Sequence, residues 1–303
     1  MAASSDMASP DALAEWPSIT VHAPCFNEER MLPFFLAHYL AFCKKVVIYD
    51  NQSTDRSVEI ASAHARVEVK EFSTGGRFSE RALTELRNSC WKGDDSDFVV
   101  VCDTDEFLFA KDLLGLLVAN RDYDVFKPVG FNMYASRFPQ DTSIPLTQQV
   151  KRGWYAPGYS KMVLFNPRRV VEMNFGPGSH KARPQGKDEL RIYHAASQKS
   201  SLKLLHYKGL GKEWVLSRNA EIAARSSEDN KAQGWGFHYH LPVSYYKKKL
   251  ALMRLLSYNC VDFDSHPMFG LADHSWVTGV NSRILLWLFR AKTDALALFS
   301  AAR

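Results

Sequence analysis

Short apolar runs and amphipathic stretches alternate through the first half of the chain. Residues 19–23 (ITVHA) form an apolar run that stops at Pro24, and KVVIYD at 45–50 and DFVVVC at 97–102 repeat the pattern. RVEVKEF at 66–72 alternates with the period of two expected of a strand. Between these runs the period changes. Residues 28–42 place Leu32, Phe35, Leu36, Tyr39 and Leu40 on one side, with Pro33 in the first turn. Residues 53–65 open on Ser53, Thr54 and Asp55, all able to cap a helix. Residues 79–91 carry Leu83, Leu86 and Cys90 at helical spacing. Strand–helix–strand units of this length predict a mainly parallel sheet with helices on its faces, and ligands in such sheets sit outside the carboxyl ends of the strands.

The second half is less regular. DVFKPVGFNMY, KMVLFNP and ELRIYHA read as strands, and residues 213–231 and 245–258 as helices. Gly and Pro punctuate 153–186 and predict long loops. The segment 282–303 is apolar with basic flanks, open to reading as a packed helix, an oligomer contact or a helix lying on a membrane.

At 46% hydrophobic and 23% charged, the 303 residues have the composition of a soluble globular protein. No run approaches 18 apolar residues, so no transmembrane helix is expected. Residues 1–17 read as a disordered tail. The five cysteines form no CxxC pair and their number is odd, which argues against disulfides or zinc and for a reducing, cytoplasmic setting. The net charge is +5, but residues 151–212 carry 13 Lys and Arg against three acids. That imbalance is either a solvated basic face or a surface for phosphate. No nucleic-acid motif accompanies it, so nucleic acid is not an expected partner.

The run DFVVVC ends abruptly in Asp103, Thr104, Asp105 and Glu106. Acids at this density repel unless a cation or donors compensate them. Mg2+ and Mn2+ take one or two carboxylates together with the phosphate oxygens of a substrate, and a pair of aspartates just past a strand end can supply them. An acidic turn capping the next element is the plain alternative. Polar clusters also follow the first two runs, as PCFNEE and DNQSTD.

APCFNEE, IYDNQSTD and VCDTDEF resemble, in order and spacing, the nucleotide-binding half of family 2 glycosyltransferases with a GT-A fold. The later LLHYKGLG and SEDNKAQGWGFHY resemble a subgroup with a DxDEF motif and a downstream HY motif. The likeness spans about residues 18–240. It implies an α/β domain, with 18–110 as nucleotide-binding half and 111–240 as acceptor half; residues 241–303 lie beyond the likeness and read as a helical extension. It also implies transfer of a sugar, with inversion, from a nucleotide-diphosphate donor (UDP ahead of GDP or dTDP) to a glycan or lipid-linked acceptor. Carried over by position, Ala23, Pro24, Asn27, Glu28 and Asp50 line the base and ribose pocket. Arg87 and Thr104 join the diphosphate site. Asp103, Asp105 and His206 hold Mn2+ or Mg2+. Each has a structural alternative: Glu28 as a helix cap, Arg87 as a surface residue, His206 as a hydrogen-bonded core histidine.

The departure is the catalytic base. The family's E-D pair is missing, and Asp141, Glu172, His180 and Asp188 are the candidates. His180, in the Gly/Pro-framed GPGSHKARP, is preferred because an imidazole is a competent base near pH 7. Two other readings stay open. One is a sugar nucleotidyltransferase, which the lack of a Gly-rich phosphate loop after the first strand disfavours. The other is an inactive binding or adaptor module.

Overall fold

The structure, a computed structural model, describes residues 16–198 and 200–263. The expected first strands are present as β1 (Ile19–Cys25), β2 (Lys45–Asp50), β3 (Val67–Glu71) and β4 (Phe98–Val101), all mutually parallel. The chain continues through β5 (Glu106–Phe109), β6 (Val125–Lys127), β7 (Val129–Ala135), β8 (Arg152–Tyr155), β9 (Leu164–Phe165), β10 (Val170–Glu172), β11 (Gln185–Gly186), β12 (Ile192–His194), β13 (Lys203–Leu210) and β14 (Tyr258–Asn259). The main sheet has the order β12-β6-β9-β4-β1-β2-β3, with β9 alone antiparallel to its neighbours β4 and β6. The fold is therefore mixed α/β with a mainly parallel central sheet, as the alternating runs predict.

β4 shows why its sequence is an unbroken apolar run. Phe98, Val100 and Cys102 enter the large core shared with β1, β2 and the first helix. Val99 and Val101 point to the other face, against Trp91 and Phe165. A strand buried on both faces needs no polar positions. The run ends only where the chain leaves the sheet at its carboxyl edge, and there the acids begin.

The helices are α1 (Leu32–Tyr39), α2 (Ser57–Ser62), α3 (Glu80–Ser89), α4 (Leu113–Ala119), α5 (Leu146–Gln149), α6 (Lys212–Ala224), α7 (Glu228–Gln233) and α8 (Val243–Leu256). Three differ from the periodic pattern. α1 and α2 begin later than 28 and 53 because the residues ahead of them bond to each other. The amides of Asn27, Glu28 and Glu29 donate to the side chains of Ser53, Ser57 and Asp55 at 2.9, 2.7 and 3.0 Å. This clasp joins the loops after β1 and β2. The single helix expected at 213–231 is two helices. Phe78 forms a bridge with Ser226, and the backbone of Arg225 and Ser227 bonds to Phe78 instead of continuing the helix. Ser227 then caps α7 by accepting from the Asn230 amide.

The sequence pattern does not foretell a second, five-stranded sheet of order β14-β8-β7-β13-β5. β5 follows the acidic turn directly and pairs antiparallel with β13, His206 opposite Glu106. The turn therefore leads into a strand, not a helix. No described helix is long and apolar enough to cross a membrane. The segment 282–303 and the tail at 1–15 lie outside the described residues.

Gly130 on β7 permits a close approach that matters for the site. A Cβ there would lie 2.2 Å from the Tyr159 carbonyl carbon and 2.5 Å from the Ser160 nitrogen. Gly130→Ala is expected to cost about 1–3 kcal/mol by urea unfolding, the range for overpacking, because backbone and not a flexible side chain must move. Stability equal to the parent would refute this packing.

Candidate functional site

The polar ends of β1, β2 and β4 meet in one cleft at the carboxyl edge of the main sheet. Pro24, Cys25, Glu28, Asn51, Asp103, Thr104 and Asp105 line one side. The other side comes from β13 and α6, through His206, Lys208, Arg218 and Arg225. Tyr239 and Phe78 complete the rim.

The acidic turn sits on a buried ion cluster. Arg87 of α3 donates to Asp103 Oδ1 at 2.6 Å and lies 3.3 Å from Glu80 Oε1. Lys161 Nζ is 2.5 Å from Glu106 Oε1 and 3.9 Å from Asp103 Oδ2. Glu106 is 1% exposed and also accepts the Asp103 amide at 3.3 Å. Burial opposes ionisation of Asp103, but the charges of Arg87 and then Lys161 outweigh it and lower its pKa. For Glu106 burial wins, and its pKa is raised despite Lys161.

Asp105 faces the opposite way. Its Oδ2 is 3.4 Å from His206 Nε2. The other ring nitrogen of His206 is 2.8 Å from Asn132 Oδ1. With Nδ1–H donating to the amide oxygen, Nε2 is the nitrogen that faces Asp105: protonated it donates to the carboxylate, and deprotonated it offers a lone pair. Tyr159 stacks on the ring at 4.2 Å and 21°. Burial again resists ionisation of Asp105, but His206, Lys208 and Lys161 hold its carboxyl well below the usual range.

Among the described residues no group of three or more His, Cys, Asp or Glu side chains is arranged to hold a metal ion. The expected trio of Asp103, Asp105 and His206 is thus not assembled, because Arg87 and Lys161 occupy Asp103. Asp105 and His206 remain as an adjacent oxygen and nitrogen donor. Two such donors fit a hard divalent cation that takes its other ligands from phosphate and water.

The other expected residues divide. Pro24, Glu28, Arg87 and Thr104 line the cleft. Arg87 is 5% exposed, so the surface alternative is corrected. Ala23 is fully buried in the core, and Asn27 spends its side chain on Thr54, accepting from that amide at 2.8 Å. Neither lines the cleft. Asp50 does not line the cleft, although its neighbour Asn51 does. Its Oδ2 accepts the Ser53 amide at 3.1 Å, and its buried Oδ1 has no partner among the described residues. Glu28 does not cap a helix; its carboxylate pairs with Arg218.

Of the base candidates, Asp141 bonds its own turn at Ser143, Glu172 pairs with Lys92, and Asp188 with Arg169, all on the exposed surface. His180 stands next to the cleft's charged groups. Its Nδ1 is 2.7 Å from the Gly158 carbonyl, which can only accept, so Nδ1 holds the proton and Nε2 is free to take one. The ring meets Tyr159 edge-on at 5.2 Å. Although the residue keeps an exposed edge, burial of the ring and then the charge of Lys161 lower its pKa to about 4. Glu80 fixes the approach to His180 by accepting from the Gly178 amide at 2.5 Å.

Sequence reasoning missed Lys161, Lys208, Arg218 and Tyr159. Lys208 was accessible, since it lies two residues beyond His206 on a strand and so shares its face. Lys161 and Tyr159 carry no local signal; only folding brings them under the acidic turn.

Residues 20–162 match the family model described as Glycosyl transferase family 2, a span that contains all three strand ends. No curated protein matches the chain. Among solved structures it is similar to S. aureus TarS 1–349, at 16% identity over 69% of this chain and 65% of that one, with a TM-score of 0.39. It is also similar to glucosyl-3-phosphoglycerate synthase from Mycobacterium tuberculosis in complex with Mn2+, UDP and glucosyl-3-phosphoglycerate. That match has 22% identity over 40% of this chain and 46% of that one, with a TM-score of 0.28. The chain spans less than two thirds of these solved chains.

Burial raises the Glu28 carboxyl from 4.5 to about 7, against the lowering by Arg218, and Asp105 adds to the rise. The folded chain therefore holds this proton more tightly than the unfolded chain does. The group's contribution to stability is fully present below about pH 4.5 and is lost as pH rises through about 7. Thermal unfolding of wild type and Glu28→Gln across this window is expected to show wild type losing ground as pH rises. A constant difference would refute the assignment.

Proposed function

We propose that the chain is a metal-dependent, inverting glycosyltransferase moving a sugar from a nucleotide-diphosphate sugar to a hydroxyl of a glycan or lipid-linked acceptor. One observation carries the reading: the three strand ends inside the family 2 match converge on a single cleft whose opposite wall is cationic. A nucleotidyltransferase would need a phosphate loop of glycines after β1, where this chain has Cys25-Phe26-Asn27-Glu28-Glu29.

In this reading the unpartnered Asp50 Oδ1 accepts the imide N–H of a uracil, a donor that would satisfy the buried oxygen. Asp105 and His206 hold the cation, Mn2+ better suited than Mg2+ to an imidazole ligand. When bound, that cation offsets charge on the departing diphosphate. Lys208 and Arg218 line the cleft and supply fixed positive charge beside it. Arg87 and Lys161 act indirectly, by keeping Asp103 ionised and the turn in place. His180 Nε2 takes the acceptor proton as the acceptor oxygen bonds to the anomeric carbon. The bond from that carbon to the diphosphate breaks in line, and its electron pair leaves with the nucleoside diphosphate. A depressed pKa keeps the imidazole neutral and able to accept at pH 7.

Purified protein is expected to hydrolyse or transfer from a UDP-sugar only with Mn2+ or Mg2+. Asp105→Asn should lower that rate by about 100-fold or more with folding intact. Wild type and Asp105→Asn behaving alike would sink the reading. His180→Ala is expected to reduce kcat by about 10²–10⁴-fold with donor affinity unchanged. An unchanged kcat would remove His180 as base.

A further inference from the structure

Beyond His206 a second cavity of about 50 Å3 opens between β13, α6 and α8. It shares His206, Lys208, Val215 and Asn219 with the cleft, so these residues form the wall between two neighbouring spaces. None of the β1, β2 or β4 strand ends reaches it. Its own wall adds Lys249 and His238, and no carboxylate lines it.

The charge balance here differs from that in the cleft. Arg87, Lys161 and Arg218 each sit against a carboxylate. Lys208 donates to the Tyr239 hydroxyl at 2.8 Å and lies over its ring; the Asp105 carboxylate of the cleft offsets part of its charge, but the two form no ion pair among the described residues. Lys249 has no hydrogen bond or ion pair among the described residues. Asn219 is 4% exposed, faces both cavities and likewise makes no side-chain hydrogen bond among the described residues. Two ammonium groups and an amide with no protein partner around one small cavity form a donor set that suits an anion with several acceptor oxygens. Burial, then the charge of Lys208, lower the Lys249 pKa to about 8, which reflects the same missing partner. A cavity of this size holds a few waters or one phosphate group.

We propose that this cavity, between Lys208 and Lys249, binds the phosphate group of an anionic acceptor and sets it beside the donor's seat. That the ligand is an acceptor rests on the glycosyltransferase reading above; that it is an anion rests on the cavity alone. The phosphate belongs either to a soluble phosphate ester or to a lipid headgroup.

The test is calorimetric titration of the full chain with inorganic phosphate, with UDP and Mn2+ saturating. Phosphate is expected to bind alongside UDP. Lys249→Met should weaken phosphate binding at least about tenfold and leave UDP affinity within about twofold. Lys249→Arg should keep phosphate binding, and Asn219→Asp should abolish it by adding a like charge. Lys249→Met removes an uncompensated charge, so its thermal midpoint should not fall. Phosphate displaced by UDP, phosphate affinity unchanged in Lys249→Met, or acetate binding as tightly as phosphate would each overturn the proposal. If UDP does not bind, the glycosyltransferase reading fails alone, and phosphate titration of wild type against Lys249→Met still decides the anion site. Glycerol 3-phosphate and phosphatidylcholine vesicles with or without phosphatidic acid separate the two sources. Binding to either that depends on Lys249 supports the proposal, and binding to neither overturns it.

Discussion

The paired burial of Arg87 with Asp103 and Lys161 with Glu106 is the constraint on which the site depends. Taking four charges out of water is costly unless each finds its partner in good geometry. Those partners come from three distant parts of the chain: α3, the acidic turn and the segment before β9. Their meeting holds the turn against the end of β4. The same arginine reaches Glu80, and Glu80 accepts the Gly178 amide, so the network also sets the loop that carries His180. One ion cluster thus ties the middle of the cleft to the loop of His180.

Asp103 and Asp105 both line the cleft, with Arg87 and Lys161 against the first and His206, backed by Asn132, beside the second. Electrostatics change again past His206. The cleft balances cations with carboxylates around the acidic turn, and the second cavity contains cations without carboxylates.

Much of the nucleotide-side half was legible in the residues. The apolar run 98–102 is buried on both faces, so its length and abrupt end follow from sheet geometry, and the acids at its carboxyl edge are where ligands bind in parallel sheets. His206, singled out by motif order, does line the cleft. The clasp between Asn27 and Thr54 was not, because Ser53, Thr54 and Asp55 look equally like helix caps until the opposing loop is present. Nor was the break in 213–231, which has an adequate helical sequence and is interrupted only by pairing with Phe78.

By itself the sequence determined the order of parallel strands, the place where the polar loops gather and the residue types available there. These follow from period, burial on two faces and local chemistry. Which side chains sit against Asp103, Asp105 and Glu106 was decided only by tertiary structure. So were the removal of Asp141, Glu172 and Asp188 to the surface and the arrival of Lys161 beneath the turn. The physical reason is that pairing of buried charge depends on distances of a few ångströms between residues as far apart in sequence as Glu28 and Arg218, 190 positions, and no local pattern records such distances.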